Sequence, residues 1–153
     1  MQTTFTRSGG AAWGKLLSVH AAMMRQLEAM LQKEYQISHG EFEVLLRLSW
    51  ADDHRMRIRD LADNSVLTRS GMSRMVDRLQ EAGMVRREVA AEDARGAYAV
   101  MTPFGQERLK AAEASNIALV NERFLSLYSE TELEQMGAFW ARFLESQSSG
   151  AEL

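Results

Sequence analysis

The chain has 153 residues, 46 % hydrophobic and 25 % charged, with a formal net charge of −3; this is the balance of one folded domain and not of a disordered segment. It contains no cysteine, so disulfides, thiolate metal sites and thiol redox switches are excluded. No run approaches the roughly 18 consecutive apolar residues of a membrane helix, and the polar stretch 1–10 lacks an apolar signal core, so a cytoplasmic protein is expected.

Residues 11–35 predict one long helix. Trp13, Leu16, His20, Met23, Leu27 and Met30 recur at helical spacing, with Leu17, Met24 and Leu31 beside them. A second helix is predicted over 38–50. Ser38 and Glu41 form a capping-box pattern at its start, and Phe42, Leu45, Leu46 and Ser49 line one face. A polar break over 51–55 follows, then a short extended segment running into a short helix over 56–64, and a turn at 65–67. Thr68 offers an N-cap to a helix over 69–82, and Gly83 suits the left-handed position after it. Met72, Met75, Val76 and Leu79 form the inward stripe of that helix, leaving Ser70, Ser73, Arg74, Asp77 and Arg78 outside. Two short strands, 84–89 and 98–101, flank a polar tip and predict a hairpin. Thr102 and Pro103 open another helix, with proline where its missing amide costs nothing; Ile117, Val120, Phe124 and Leu127 continue its apolar row. Ser129 and Glu132 repeat the capping-box pattern, and Leu133, Met136, Trp140 and Phe143 form the last apolar face. The tail from 146 is expected to fray.

Arginine outnumbers lysine 15 to 3, and nine arginines fall between residues 54 and 96 against seven acids. This basic middle between acidic flanks is the asymmetry of a DNA-reading module; on charge alone, a salt-bridged solvated surface is the plainer reading. The layout decides between them. A short helix, a turn and a second helix followed by a hairpin make a winged helix-turn-helix. The outer face of the 69–82 helix fits a major groove about 12 Å wide. Thr68, Ser70 and Ser73 can donate to phosphates or base edges, and Arg69, Arg74 and Arg78 can pair with phosphate or grip guanine. Arg95, at the hairpin tip, can reach the minor groove, where negative potential is focused. There is no nucleophile elbow, no phosphate-binding glycine loop and no metal-ligand spacing among His20, His39 and His54, so no catalysis, cofactor or metal is expected.

Two stretches carry a family resemblance. LTRSGMSRMVDRLQEAGMVRR (67–87) resembles the recognition helix and first wing strand of the MarR (multiple antibiotic resistance regulator) family, and DARGAYAVMTPFG (93–105) is similar to its wing signature of Asp-x-Arg, a short strand and Thr-Pro-x-Gly. The resemblance implies a mainly α protein with a winged helix-turn-helix lobe over 38–101, a small β-hairpin wing, and a helical dimerisation region from 11–35 and 103–146. It implies a homodimeric repressor of transcription whose two lobes read successive major grooves of a pseudo-palindromic double-stranded operator. The family's wing pair falls on Asp93 and Arg95, the aspartate holding the wing and orienting the arginine. Trp13, His20, Leu46 and Trp50 are the candidates for lining a crevice that takes a small aromatic or anionic ligand, plain packing being the alternative. Three positions depart from the family pattern. Arg57 stands where a serine or threonine cap is usual and Ser65 where a leucine is usual. Gly71 lies inside the recognition helix at a cost of roughly 1 kcal/mol against alanine, unless it admits the DNA backbone closely. The competing functional reading is a winged-helix protein-interaction module without DNA readout.

Overall fold

The computed structural model describes residues 4–63, 65, 67–90 and 96–148. Two compact units divide the chain, Met1–Asn116 and Ile117–Leu153, with the boundary inside a helix.

In the first unit, α1 spans Arg7–Tyr35. It starts ahead of the apolar pattern because the Thr6 hydroxyl caps it, accepting from the Gly9 N–H at 3.1 Å. Of its predicted stripe only Leu27 and Leu31 are buried; Trp13 and Leu17 are about half exposed, at 51 % and 48 %. The first half of α1 therefore presents apolar side chains to solvent. Helix α2, His39–Trp50, opens on a complete capping box: the Ser38 N–H donates to Glu41 and the Glu41 N–H to the Ser38 hydroxyl. Val44 and Leu48 are buried along with Phe42 and Leu45, so α2 packs on more than the one predicted face.

A short 3₁₀ turn, Asp52–His54, leads into strand β1, Arg55–Arg57, and directly into α3, Ile58–Asp63. Helix α4 spans Arg69–Glu81, β2 Val85–Val89 and β3 Ala97–Met101. The wing is a three-stranded antiparallel sheet of order β1-β3-β2, not the two-stranded hairpin expected. The third strand is the 55–57 segment, which pairs Arg57 with Tyr98 and Arg55 with Val100. Such pairing accounts for Arg57: a cap is unnecessary because the sheet anchors the start of α3, and Arg57 Nε donates to the Tyr98 hydroxyl at 3.3 Å. Ser65 likewise exchanges a core contact for hydrogen bonds. Its hydroxyl donates to the Ala62 carbonyl and accepts from the Leu67 N–H, both at 3.1 Å, fastening the turn between α3 and α4.

Helix α5, Pro103–Arg123, is fixed to the sheet at its first turn. The Thr102 hydroxyl accepts from the Gly105 N–H at 3.0 Å and donates to the Gly83 carbonyl at 2.7 Å, while Gly83 takes the predicted left-handed conformation, φ +74°. The core of this unit joins Leu31, Leu45, Leu48, Leu61, Met72 and Leu79, each contributing about 1.5–3 kcal/mol by burial.

In the second unit the predicted apolar row does not run through one helix. Helix α5 stops at Arg123, and Leu125–Leu127 form a 3₁₀ turn, closed by Phe124 packing on Tyr128 at 5.3 Å between ring centroids. Helix α6 spans Glu130–Ser148, entered through the predicted Ser129–Glu132 box. Ile117, Leu127, Phe139, Trp140 and Phe143 are exposed. Among the described residues no helix is long and apolar enough to cross a membrane.

Candidate nucleic-acid interface

The outer face of α4 begins at its cap. The Thr68 hydroxyl accepts from the Gly71 N–H at 3.1 Å and touches the Ser70 hydroxyl at 3.1 Å. A Cβ on Gly71 would stand 3.3 Å from that capping oxygen, so a side chain there would crowd the cap itself. Arg69, Ser70 and Arg74 follow on the exposed side. Arg74 makes no hydrogen bond or ion pair with the described residues and is open to a partner. Arg69 lies 3.8 Å from Asp63 across the turn, both largely exposed; such a pair is weak and easily exchanged for another anion.

Arg78 and Ser73 are more constrained. Arg78 Nε donates to Glu41 at 2.8 Å. Glu41 is the one buried charged side chain among the described residues, and its second oxygen serves the α2 capping box. Arg78 is thus tethered at Nε while its side chain stays 55 % exposed, which leaves its terminal nitrogens available. Ser73 accepts from Arg87 Nη2 at its hydroxyl, 2.8 Å, and at its carbonyl, 3.0 Å; the same nitrogen lies 2.8 Å from Asp77. Sequence reasoning did not select Arg87. The signal was its alternation with Val85, whose side of β2 pairs with the buried Ala99 and Met101, opposite Arg86 and Glu88.

A groove of about 350 Å³ runs between α4 and the sheet, lined by Arg57, Arg59, Arg69, Ser73 and Arg87. The arginines give this groove positive charge that can attract an anion, while Arg59, Arg69 and Arg87 face Asp60, Asp63 and Asp77 and the Arg57 guanidinium lies over the Tyr98 ring at 5.2 Å. On the sheet face that Arg57 shares, Arg55 stacks over Tyr98 at 3.9 Å and lies 3.7 Å from Glu88, which also pairs with Arg86. Asp93 and Arg95 lie outside the described residues; the wing is described up to the Ala90 N–H···Gly96 carbonyl bond at 3.0 Å.

The ligand candidates are not gathered by the fold into a described pocket. Trp13 and His20 are exposed on α1, Leu46 is half-buried on α2, and Trp50 is 76 % exposed at the end of α2. A more apolar pocket of about 430 Å³ does exist, between α2 and the α3–α4 turn, with Met72 and Met75 in its wall, and none of the four lines it. Among the described residues no group of three or more His, Cys, Asp or Glu could hold a metal.

A capped reading helix, a fastened turn before it and a sheet-built wing after it define a winged helix-turn-helix protein. Residues 37–96 match the MarR family model. The chain is 28 % identical over 109 residues to the HTH-type transcriptional repressor YetL of Bacillus subtilis; the match covers 69 % of this chain and 65 % of that repressor, just under two thirds of its length. It superposes on AbsC, a MarR family transcriptional regulator from Streptomyces coelicolor, with a TM-score of 0.83 and 28 % identity over 97 % of this chain and 99 % of that one. A second Streptomyces coelicolor MarR family regulator, solved in complex with DNA, has the same fold, with a TM-score of 0.85 and 24 % identity over 95 % of this chain and 91 % of that one. The chain thus resembles the MarR family of winged helix-turn-helix transcriptional regulators, in sequence over residues 37–96 and in fold over nearly its whole length.

Proposed function

We propose that the protein is a sequence-specific double-stranded-DNA-binding regulator of transcription, acting in the cytoplasm as a homodimeric repressor that a small aromatic or anionic ligand releases. The observation that carries this reading is the outer face of α4: Thr68, Arg69, Ser70 and Arg74 are exposed together beside the four-arginine groove. The helix enters the major groove. Arg74 reaches a base edge, guanine being the partner its fork fits. Arg69 and Arg78 take phosphates, and Arg95, held by Asp93, enters the minor groove. Pairing of two lobes follows from the apolar side chains that α1 and α6 leave exposed, such as Trp13, Leu17, Trp140 and Phe143, since exposed apolar surface of this kind marks an interface. Trp13, His20, Leu46 and Trp50 become ligand-lining only in that dimer. A ligand that prefers one lobe spacing shifts the population toward it, and the difference in its affinity for the two states sets how far DNA binding falls. The protein works by binding and not by catalysis.

Selection of duplexes from a random pool tests the reading. A pseudo-palindrome with half-sites about one helical turn apart is expected. Arg74→Ala should cost about 1–3 kcal/mol and relax preference at one position in each half-site. If neither Arg74→Ala nor Arg95→Ala changes affinity for the selected duplex, the contacts are assigned wrongly; a pool that yields no bound duplex points to the protein-interaction module.

A further inference from the structure

Arg87 differs from the other arginines of the winged lobe. It sits in the middle of β2, on the sheet side that faces the core, and its side chain is only 29 % exposed. One terminal nitrogen, Nη2, meets three acceptors: the Ser73 carbonyl at 3.0 Å, the Ser73 hydroxyl at 2.8 Å and Asp77 Oδ1 at 2.8 Å. Its backbone N–H donates to Gln80 Oε1 at 3.0 Å. Residues 73, 77 and 80 lie along successive turns of the reading helix, so one strand residue is tied to more than a full turn of α4. Two consequences follow. Nη2 has two protons for three acceptors and is fully engaged within the lobe, while Nε is buried without a partner, so Nη1 alone is left to face outward. The Ser73 oxygen is used as an acceptor by a cation, so its own proton is polarised and left to donate outward.

Resting on the DNA-binding reading above, we propose that Arg87 is a positioning residue: through Ser73 and Asp77 it sets the reading helix against the wing and presents the Ser73 hydroxyl as a hydrogen-bond donor to the duplex. The position facing Ser73 is then read as an acceptor, a guanine N7 or O6, an adenine N7 or a thymine O4, in preference to the cytosine amino group.

The test exploits a conflict of signs. Near DNA, removing an acid should tighten binding by charge alone, and removing a cation should loosen it. A positioning role predicts loosening from both. Affinity for the selected duplex is measured over a salt series with the full chain as wild type, Asp77→Asn, Arg87→Gln and the combined variant. Each single variant is expected to bind about tenfold more weakly, with the combined variant no weaker than either, as members of one network behave. The slope of log affinity against log salt stays at the wild-type value in all of them. Arg87→Lys, which keeps the charge on a shorter side chain that stops short of the Nη2 position, recovers less than half of the loss on a logarithmic scale. Tighter binding by Asp77→Asn, or a slope smaller by about 0.9 in Arg87→Gln, the signature of one lost phosphate contact, overturns the proposal. If Arg87→Gln does not fold, Asp77→Asn carries the test alone. Wild-type protein that binds no duplex overturns the DNA-binding reading and this one with it; wild-type binding with independent charge effects overturns this one only.

Discussion

A Cβ on Gly105 would stand 2.1 Å from the Met84 carbonyl oxygen, the same oxygen that accepts from the Thr102 N–H at 3.0 Å. The Thr-Pro-x-Gly pattern thus has a physical reading residue by residue: threonine binds the end of the α4–β2 turn, proline starts the helix, and glycine lets that helix touch the turn. Gly105→Ala should cost at least about 3 kcal/mol, the upper range for forcing a methyl into filled space, read as a fall in the urea midpoint. Gly71 is a second glycine with two opposed effects. Alanine there gains about 1 kcal/mol of helix propensity but presses on the Thr68 hydroxyl. Gly71→Ala should therefore stabilise more in a Thr68→Ala background than in the wild type. At this scale the sequence made Thr68 and Arg74 legible, because a cap and an outward arginine are local features. It did not reveal the partners of Ser73 or Arg78, which come from β2 and α2 and are set only when the elements pack.

Caps and breaks decided the elements. The N-caps at Ser38, Thr68, Thr102 and Ser129 fell where the pattern placed them, because each is a short-range contest between side-chain oxygens and backbone amides. Strand β1 was legible only as an extended segment: three residues carry no period of their own, and pairing with β3 made them a strand. The α5 row ran past the true end of the helix because apolar spacing continues through the 3₁₀ turn. The Ser129–Glu132 box also has a pH signature. The Ser129 N–H and hydroxyl both hold the Glu132 carboxylate, the backbone bond foremost, and keep its pKa below the ordinary carboxylate value. With the folded pKa below the unfolded one, the box supports the helix above the unfolded-state pKa and loses that support as pH falls through the folded pKa. The difference in Tm between wild type and Glu132→Ala should be largest near neutral pH and shrink on acidification; since this glutamate is exposed, the difference is small throughout.

For the molecule as a whole, the charge total concealed its distribution. A chain of −3 carries a groove of four arginines, so duplex binding should weaken steeply with salt although the protein is acidic overall. The apolar side chains of α6 lead to a second expectation. Light scattering should give twice the chain mass of 17.3 kDa, and Trp140→Glu with Phe143→Glu should return it toward the single-chain value while helicity by circular dichroism persists. A wild-type chain that scatters as a monomer would remove the two-half-site model.

The order of the wing strands has a consequence in time. Its central strand, β3, joins a partner close in sequence, β2, to one far away, β1, pairing Arg57 with Tyr98. The nearer pairing closes a short loop. The farther one must wait until the chain between has been drawn in, since closure entropy grows with loop length. Strand β1 should therefore dock after the barrier to folding has been crossed. Destabilising it, by Met56→Ala for example, should quicken unfolding and leave the folding rate nearly unchanged, while a comparable loss in α4, by Val76→Ala, should slow folding. The segment that starts α3 would then be the last part of the lobe to lock and the first to come loose.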